Sequence, residues 1–341
     1  MNLLVAILVF GLLIAIHEAG HFLVARWAGM RVERFSIGFG PALATFRRGE
    51  TEWRIGILPI GGYVKIAGMN PAEEAESDPG DPASYANKPA WKRLLVILAG
   101  SFMNYVLAWV LLVGLLLAGA AQLQLDTTEV GAVMPDMPAA AAGLQAGDEI
   151  VAVDGKQVED FRSVAESLAE RKAQNVSLTV ERDGRRFELP VVTNELGQIG
   201  IRPPETIVSY GVAEAVQRAT TFVVVGSLAI VQGIVDLVRG EAQGGLMGPV
   251  GIASEVARQA ERGMRWLLGI AVNLSIALGF FNLLPIPALD GGRAAFILVE
   301  MVRRKPVDAR AEAWVHLIGF VVLLGLILVV TVGDVGRLTA Q

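Results

Sequence analysis

The chain has 341 residues but no cysteine, and it contains only three histidines. Without cysteine there can be no disulfide bond, no thiolate nucleophile and no cysteine-ligated metal, so any metal must be held by histidine and carboxylate side chains. Charge is also scarce, because 18% of the residues are charged and the net charge is only -5. The basic residues are grouped in a few segments, which argues against nucleic-acid binding.

Apolar residues dominate the rest of the sequence. They form 53% of the chain, and the mean hydropathy is +0.51. This composition excludes an ordinary soluble globule and predicts a polytopic membrane protein. Four runs are long enough to span a bilayer, namely 3–24, which carries Glu18, and the uncharged runs 94–121, 266–289 and 313–333.

The basic loops predict how these runs are oriented. Lysines and arginines are concentrated in 26–93 and in 293–310, and the positive-inside rule places both segments in the cytoplasm. The long segment 122–265 then lies outside. The apolar stretch 219–235 could not cross once without reversing the third span, so we interpret 211–239 as an amphipathic helix associated with the membrane surface.

The first cytoplasmic loop contains two strand-like segments. Residues 31–39 and 51–66 are typical of β-strands interrupted by glycines. Because these strands are apolar and close to the membrane, they predict a β-hairpin that dips back towards the bilayer, where irregular backbone must be covered by protein or water. The stretch 71–82 has the composition of a mobile acidic linker.

A small globular domain is predicted within the outer segment, at about 126–202. Short alternating strands, turns at 146–148 and 154–155, a helix over 161–173 and a hairpin turn at 182–185 give it an α+β pattern. The string GLQAGDEIVAVDGKQV resembles the signature of PDZ domains of the bacterial protease-associated kind. Such domains bind an extended peptide along a sheet edge. The alternative is a spacer or gate that binds no peptide.

The string His17-Glu18-Ala19-Gly20-His21 lies inside the first apolar run. Histidines at i and i+4 share one face of a helix, as two ligands of one metal require, and Glu18 is offset towards a metal-bound water. Glutamate and histidine are costly at membrane depth and therefore indicate a function there. The alternative is a polar patch that joins neighbouring helices by hydrogen bonds.

Two histidines do not complete a zinc site, and Asp290 is the best candidate for the third ligand. It follows two prolines and precedes two glycines in the string NLLPIPALDGG at 282–292, so the third span breaks where a carboxylate is presented. Zinc with Asp290 and Glu18 would be formally neutral, with two nitrogen ligands, one carboxylate and an open position for water. The alternative for Asp290 is a turn residue at a helix end.

These motifs together resemble the site-2 protease family of intramembrane zinc metalloproteases, especially the bacterial regulator-of-sigma-E protease type. HEAGH at 17–21, FSIGFG at 35–40, the PDZ insertion, GPVGIA at 248–253 and NLLPIPALDGG at 282–292 follow in the family's order. The resemblance covers nearly the whole chain. Some relatives have two PDZ domains, whereas this chain has room for one.

The resemblance assigns roles to individual residues. It implies that His17, His21 and Asp290 ligate zinc, that Glu18 is the catalytic base, and that Asn282 helps to bind or orient the substrate.

Other residues are candidates for substrate contact. The strand that carries Ile37, Gly38 and Gly40, or the segment 55–60, is expected to pair with an unwound substrate by strand addition. Asn104 follows Gly100-Ser101, where many relatives have Gly-Pro. It is expected to contact substrate or the active-site loop, or else to hydrogen-bond between helices.

The remaining histidine, His316, lies in the last apolar run. It is either a spare ligand or proton relay, or a packed histidine without a catalytic role.

The predicted function is hydrolysis of peptide bonds within the transmembrane segments of single-span membrane proteins. The family resemblance places this enzyme in the bacterial inner membrane, with its active site towards the cytoplasm and its PDZ domain outside. Implied partners are anti-sigma factors, signal-peptide remnants, the lipid bilayer and a peptide ligand of the PDZ domain. The alternatives are a catalytically idle PDZ-bearing membrane scaffold and a metallopeptidase confined to short leftover peptides.

The predicted fold is a polytopic α-helical membrane protein with four transmembrane helices, a membrane-associated β-hairpin loop and one inserted α+β PDZ domain. Its segments are transmembrane helix 1 with HExxH (1–28), the β loop with the acidic linker (29–92), transmembrane helix 2 (93–121), the PDZ domain (124–205), the amphipathic linker (206–263), transmembrane helix 3 (264–289), a cytoplasmic loop (290–311) and transmembrane helix 4 (312–333).

Overall fold

The structure is a computed structural model, and it describes residues 2–69, 80–240 and 247–339. The first half of the chain forms α1 (Asn2–Trp27), β1 (Val32–Arg48), β2 (Thr51–Ile66), α2 (Ala90–Ala118), β3 (Ala120–Leu123), β4 (Ala132–Val133), α3 (Pro138–Ala141), β5 (Glu149–Val153), β6 (Lys156–Gln157) and α4 (Phe161–Ala169). The second half forms β7 (Asn175–Arg182), β8 (Arg185–Val192), β9 (Ile201–Arg202), β10 (Glu205–Val208), α5 (Val212–Arg239), α6 (Pro249–Arg262), α7 (Met264–Leu283), α8 (Asp290–Arg303) and α9 (Ala309–Thr339).

The contacts divide the chain into two units. The first, Met1–Leu115 with Gly211–Gln341, contains the long helices and the β1–β2 hairpin, and the second is Leu116–Tyr210. Among the described residues five helices are long and apolar enough to cross a membrane, judged by length and composition: α1, α2, α5, α7 and α9. The predicted number of four is therefore not confirmed, because α5 also meets the length and hydropathy requirement.

Contacts with α2 place α5 alongside that helix. The Trp109 indole N–H donates to Thr220 Oγ1 at 3.1 Å, and the Ser227 hydroxyl donates to Tyr105 Oη at 3.5 Å. Residue numbers fall along α5 as they rise along α2, so the two helices run antiparallel over these contacts. These contacts make α5 a packed member of the helical unit and not solely a surface helix.

Helix boundaries differ from the predicted spans where turn-forming residues intervene. Helix α7 ends at Leu283 rather than at 289, since Pro285 and Pro287 cannot donate backbone hydrogen bonds to a continuing helix. Helix α2 ends at Ala118, and the next residues enter β3. The predicted cytoplasmic loop 290–311 begins instead as helix α8, with Asp290 as its first residue.

The GPVGIA string lies at the start of α6. A buried carboxylate of α9, Asp334, accepts hydrogen bonds from the backbone N–H groups of Gly248 at 3.1 Å and Gly251 at 2.7 Å. Backbone N–H groups at a helix start lack partners within the helix, and an anionic acceptor is favourable there. Asp334 therefore ties the last helix to the start of α6.

Strands β1 and β2 form the predicted hairpin, but it is longer than predicted and curled. Residues 34–37 of β1 have Cα partners in two segments of β2, 52–55 and 62–65. Gly38 and Gly40 have φ of +88° and +84°, values that favour glycine and allow β1 to bend back over β2. The predicted acidic linker 71–82 lies mostly outside the described residues, which resume at Gly80.

The second unit contains a four-stranded sheet in the order β6-β5-β7-β8. Strands β7 and β8 pair without interruption from Asn175↔Val192 to Arg182↔Arg185, and the intervening Asp183 and Gly184 both have positive φ, as a tight hairpin turn requires. Helix α4 covers the core that this sheet forms, and the Asp160 side chain caps its first turn by accepting the Ser163 N–H at 2.7 Å.

An ion pair joins the sheet of this unit to the turn before β5. Asp148 is almost fully buried and accepts two hydrogen bonds from the Arg182 guanidinium, at 2.5 and 2.7 Å, and one from the Gln145 N–H. Burial alone would raise the pKa of the Asp148 carboxyl, but these hydrogen bonds outweigh it and hold the pKa below its ordinary value. The pair thus fixes the predicted turn at 146–148.

Candidate metal centre

The predicted histidine pair lies on one face of α1. His17 and His21 are each 7% exposed, and their Nε2 atoms are 3.2 Å apart. One helical turn separates them, so both rings point to the same place. The i and i+4 spacing in the sequence is thereby realised as a convergent pair of nitrogens.

Helix α2 packs against this face and orients both rings. His21 Nδ1 donates to the Val96 carbonyl oxygen at 2.7 Å, and Asn104 Nδ2 lies 3.0 Å from His17 Nδ1. Gly20 and Gly100 permit the close approach: a Cβ on Gly20 would strike the Ala99 carbonyl oxygen, and one on Gly100 would strike both histidine rings. With Nδ1 of each ring engaged, both Nε2 atoms are directed towards a shared ligand.

Asp290 reaches the histidines from the break between α7 and α8. Its Oδ2 is 3.0 Å from His17 Nε2 and 3.3 Å from His21 Nε2. The next residue, Gly291, lies against the carbonyl oxygens of Leu283 and Leu284, where a Cβ would collide. The paired glycines therefore let the chain reverse tightly and still start a helix, which explains the DGG string.

The spacing of the three ligand atoms matches a zinc ion. Bond lengths of about 2.0–2.2 Å in a tetrahedral site put two ligands roughly 3.3 Å apart, and the observed separations are 3.0, 3.2 and 3.3 Å. Asp290 Oδ2 is buried and accepts no hydrogen bond from the described residues. A buried carboxylate oxygen without a donor needs a cation, so the residues fit the metal.

Glu18 lies beside this set and faces β2. Its carboxylate is within hydrogen-bonding reach of the Val64 N–H, and a Cβ on Gly62 would come within 3.3 Å of Glu18 Cγ. Glu18 is half-buried and is not one of the three convergent ligands. It is therefore placed to act on a molecule at the metal rather than to bind the metal itself.

The other predicted site residues are distributed differently. Asn104 is fully buried and contacts His17, so it is not exposed to substrate. Asn282 is half-buried in the last turn of α7, and within the described chain no hydrogen bond joins it to a ligand residue. Ile37 pairs on both sides, with Gly62 and with Ile55, while Gly38 and Gly40 form the bends of β1.

Three contributors to the site were not found from the sequence. The Val96 carbonyl and the Val64 N–H are backbone groups, and no residue type reveals them. Gly100 precedes Asn104 by one helical turn, and this spacing is a weak signal for a face that approaches α1. Only the register of α1 against α2 shows that Gly100 lies opposite the histidines.

Two buried histidines, a half-buried aspartate and an adjacent glutamate supply the nitrogen and carboxylate groups that a catalytic zinc site requires. The family model for peptidase family M50 matches residues 5–326. The chain belongs to this family, the site-2 protease family of zinc metalloproteases. It is a zinc metalloprotease, and zinc is its cofactor.

Close relatives match the chain over nearly its full length. The "Putative zinc metalloprotease CPE1693" of Clostridium perfringens is 37% identical over 98% of this chain and 98% of its own. The Regulator of sigma-W protease RasP of Bacillus subtilis is 31% identical over 97% of both chains. Among solved structures, the PDZ domain of the SdrC-like protein Lmo2051 from Listeria monocytogenes matches 26% of this chain and 93% of its own, with 22% identity and a TM-score of 0.21.

Proposed function

We propose that this enzyme cleaves peptide bonds within the transmembrane segments of single-span membrane proteins. One observation carries the proposal: two of the three ligand residues, His17 and His21, lie together with Glu18 on α1, a helix long and apolar enough to span a bilayer. Ionisable side chains within a membrane-spanning helix are costly, and by default they indicate a functional site. A catalytically idle scaffold would have no use for four polar side chains in such a place.

Different residues of the chain are proposed to bind the metal and to transfer the proton. Bound zinc would polarise the scissile carbonyl and lower the pKa of a water molecule. Glu18, held beside the ligands and near the Val64 N–H, accepts the proton from that water and passes it to the leaving nitrogen. His17, His21 and Asp290 would hold the metal; the two histidines are buried and Asp290 is half-buried.

A direct test measures cleavage with and without the metal. We expect the full-length protein, purified in detergent, to cut a single-span substrate, to lose this activity after treatment with a zinc chelator, and to regain it when Zn²⁺ is added back. The soluble domain of the same substrate, without its transmembrane segment, is the matched control. Equal cleavage of that domain would contradict intramembrane specificity.

The substrate helix must be unwound before it is cut. Carbonyl groups within an α-helix are already hydrogen-bonded, and pairing with an enzyme strand stabilises an extended segment. The two segments predicted for this role are already paired with each other, through Ile37↔Ile55 and Phe39↔Leu58. We therefore assign substrate pairing to residues 62–64, which pair with β1 on one side and face Glu18 on the other.

Unwinding predicts a dependence on the substrate sequence. A proline placed in the cytoplasmic half of the substrate's transmembrane segment should speed cleavage several-fold, since it destabilises a helix interior by about 3 kcal/mol. The measurement is the initial cleavage rate in liposomes. The same proline in the outer half is the control and should have little effect. Equal rates for all three substrates would show that unwinding does not limit the reaction.

Asn104 is proposed to hold His17 rather than to touch substrate. A neutral His17 that binds zinc through Nε2 carries its proton on Nδ1, and this N–H requires an acceptor. The Asn104 amide lies at that position, and its Oδ1 has no other partner in the described chain. Turning the amide over would present Oδ1 to the ring.

If Asn104 has this role, two substitutions at its position should differ in their effect on zinc affinity. Asn104→Asp retains an acceptor and should keep zinc affinity near that of the wild type, whereas Asn104→Leu should weaken it by about 10–100-fold. Competition with a chromogenic chelator measures the affinity. A loss in Asn104→Asp as large as in Asn104→Leu would mean that the side chain serves as a donor, as expected for helix packing or substrate contact.

The surroundings of the reaction are proposed from charge and from the relatives. Basic residues flank the ends of α1 and α8 that lie near the metal, which favours a cytoplasmic active site and an outer position for the segment 122–210. A bacterial inner membrane and substrates of the anti-sigma-factor or signal-peptide-remnant type are proposed accordingly. The sigma-W protease relative favours the first of these substrate types.

The second unit is proposed to be a PDZ domain that binds a peptide. It contains a cavity of about 430 Å³ between α4 and the strand segment around β9. The cavity is lined mainly by apolar side chains, among them Met137, Phe161, Leu168 and Ile199. A groove between a helix and a strand edge suits an extended apolar peptide.

A further inference from the structure

The loop that delivers Asp290 contains a residue in an unfavourable conformation. Ala288, two positions before the ligand, has φ of +76°. This left-handed region is rarely adopted by residues with a Cβ and persists only where the surroundings enforce it. Whatever holds Ala288 in this conformation also sets the direction in which the chain enters α8.

His316 of α9 makes the contact that holds Ala288. The Ala288 backbone N–H donates to His316 Nδ1 at 2.9 Å. Because Nδ1 accepts this bond, the ring of a neutral His316 carries its proton on Nε2. That Nε2 atom is buried and has no hydrogen-bond partner in the described chain. The nearest carboxylate oxygen, on Glu312, is 4.0 Å away.

The same ring also contacts the chain on the other side of Asp290. Its centroid lies 5.7 Å from that of Phe296 in α8, with the rings tilted by 47°. His316 therefore contacts both the loop before the ligand and the helix after it.

Gly319, almost one turn further along α9, completes the support. A Cβ at this position would strike the ring of Pro287 and come within 2.8 Å of the Pro287 carbonyl oxygen. The glycine thus lets α9 press against the loop, while His316 supplies the polar contact. Both features act on adjacent loop residues and neither belongs to the ligand set.

We propose that His316 is a positioning residue for the metal centre, which fixes Asp290 by holding Ala288 in its left-handed conformation. The proposal rests on the role of Asp290 as a zinc ligand. It also assigns a role to the one histidine outside the HExxH string, which is not among the convergent ligand residues and whose Nδ1 accepts a backbone N–H.

The test measures Zn²⁺ affinity of the full-length protein in detergent, by chelator competition. His316→Leu removes the acceptor at similar volume and should weaken binding by about 10–100-fold. His316→Asn places an acceptor oxygen near the position of Nδ1 and should keep affinity close to that of the wild type. The absorption spectrum of the Co²⁺-loaded protein should change in the leucine variant and not in the asparagine variant.

A second substitution tests whether His316 affects Zn²⁺ affinity through the conformation of Ala288. Glycine adopts positive φ without strain, so Ala288→Gly alone should bind Zn²⁺ like the wild type, and in the His316→Leu background it should restore much of the lost affinity. No rescue by Ala288→Gly, or equal losses in His316→Asn and His316→Leu, would overturn the proposal. Wild-type affinity in His316→Leu would overturn it as well.

Failure of the metal centre itself would look different. His17→Ala removes a ligand, so wild-type protein that binds Zn²⁺ no better than this variant would contradict the centre and not only the role of His316. Gly319→Ala provides an independent approach, because its Cβ pushes on Pro287 without removing the histidine. It should weaken Zn²⁺ binding, and unchanged affinity would count against support of the loop by α9.

Discussion

Glu18→Gln is expected to abolish cleavage of a membrane substrate while zinc remains bound. Glutamine has nearly the same shape as glutamate, and its Oε1 can still accept the Val64 N–H, but it cannot take a proton from water. General-base catalysis contributes typically about 10²–10⁴-fold, and we expect a loss at the upper end of this range. The three ligand atoms are contributed by other residues, so zinc content should not change.

The measurement combines initial cleavage rates with the zinc content of the purified protein. Glu214→Gln is a matched control, since Glu214 lies exposed at the start of α5 and pairs with Arg218 at 2.9 Å. Such a surface pair contributes little to stability, so this variant should retain both zinc and activity. Cleavage by Glu18→Gln at the wild-type rate would assign proton transfer to another group, and loss of zinc together with activity would indicate a structural role for Glu18.

The three residues of the candidate ligand set could be recognised because each leaves a local signal in the sequence. The four-residue spacing of His17 and His21 fixes a common helical face, and the absence of cysteine leaves carboxylates as the only other common ligands. Asp290 was identifiable because prolines and glycines around it mark a break in an apolar run. The structure places these three side chains within 3.3 Å of one another.

Residues whose contacts depend on the relative register of helices or strands could not be predicted in the same way. Asn104 was recognised as a polar residue at membrane depth, but its partner depends on how α2 lies against α1. The strand segment that faces Glu18 could not be predicted, because the sequences of 31–39 and 51–66 do not reveal that β1 is flanked on both sides by β2. Long-range pairing of this kind follows from bends at Gly38 and Gly40.

For α5, the sequence could not decide between a membrane-spanning helix and a surface helix. Its sequence is apolar enough to span and amphipathic enough to lie on a surface, so length and charge rules lead to different predictions. Contacts at Thr220 and Ser227 with α2 come from two isolated polar residues. Such interhelical hydrogen bonds are common in membrane proteins, but the sequence does not show which helix an isolated polar residue will contact.

Gly100→Ala is expected to remove zinc from the enzyme although it adds only one methyl group. The new Cβ would lie 2.7 Å from His17 Nε2 and in collision with His21 Nε2. The rings cannot simply swing away, because His21 donates to the Val96 carbonyl and Asn104 contacts His17. We expect Zn²⁺ affinity to fall by at least about 100-fold, beyond the usual effect of changing a residue that only supports a ligand, and cleavage to be lost with it.

A control in the same helix separates this effect from a general change in α2. Gly114 is also helical, and no described atom lies within 4 Å of the position of its Cβ. Alanine is favoured over glycine in a helix interior by about 1 kcal/mol, so Gly114→Ala should keep zinc and leave the melting temperature unchanged or raised. Gly100→Ala gains the same helix preference, so a loss of zinc in this variant alone must come from the collision with the histidines. Zinc retained by Gly100→Ala would mean that α2 lies further from the metal centre than the contacts of Gly20, Val96 and Asn104 require.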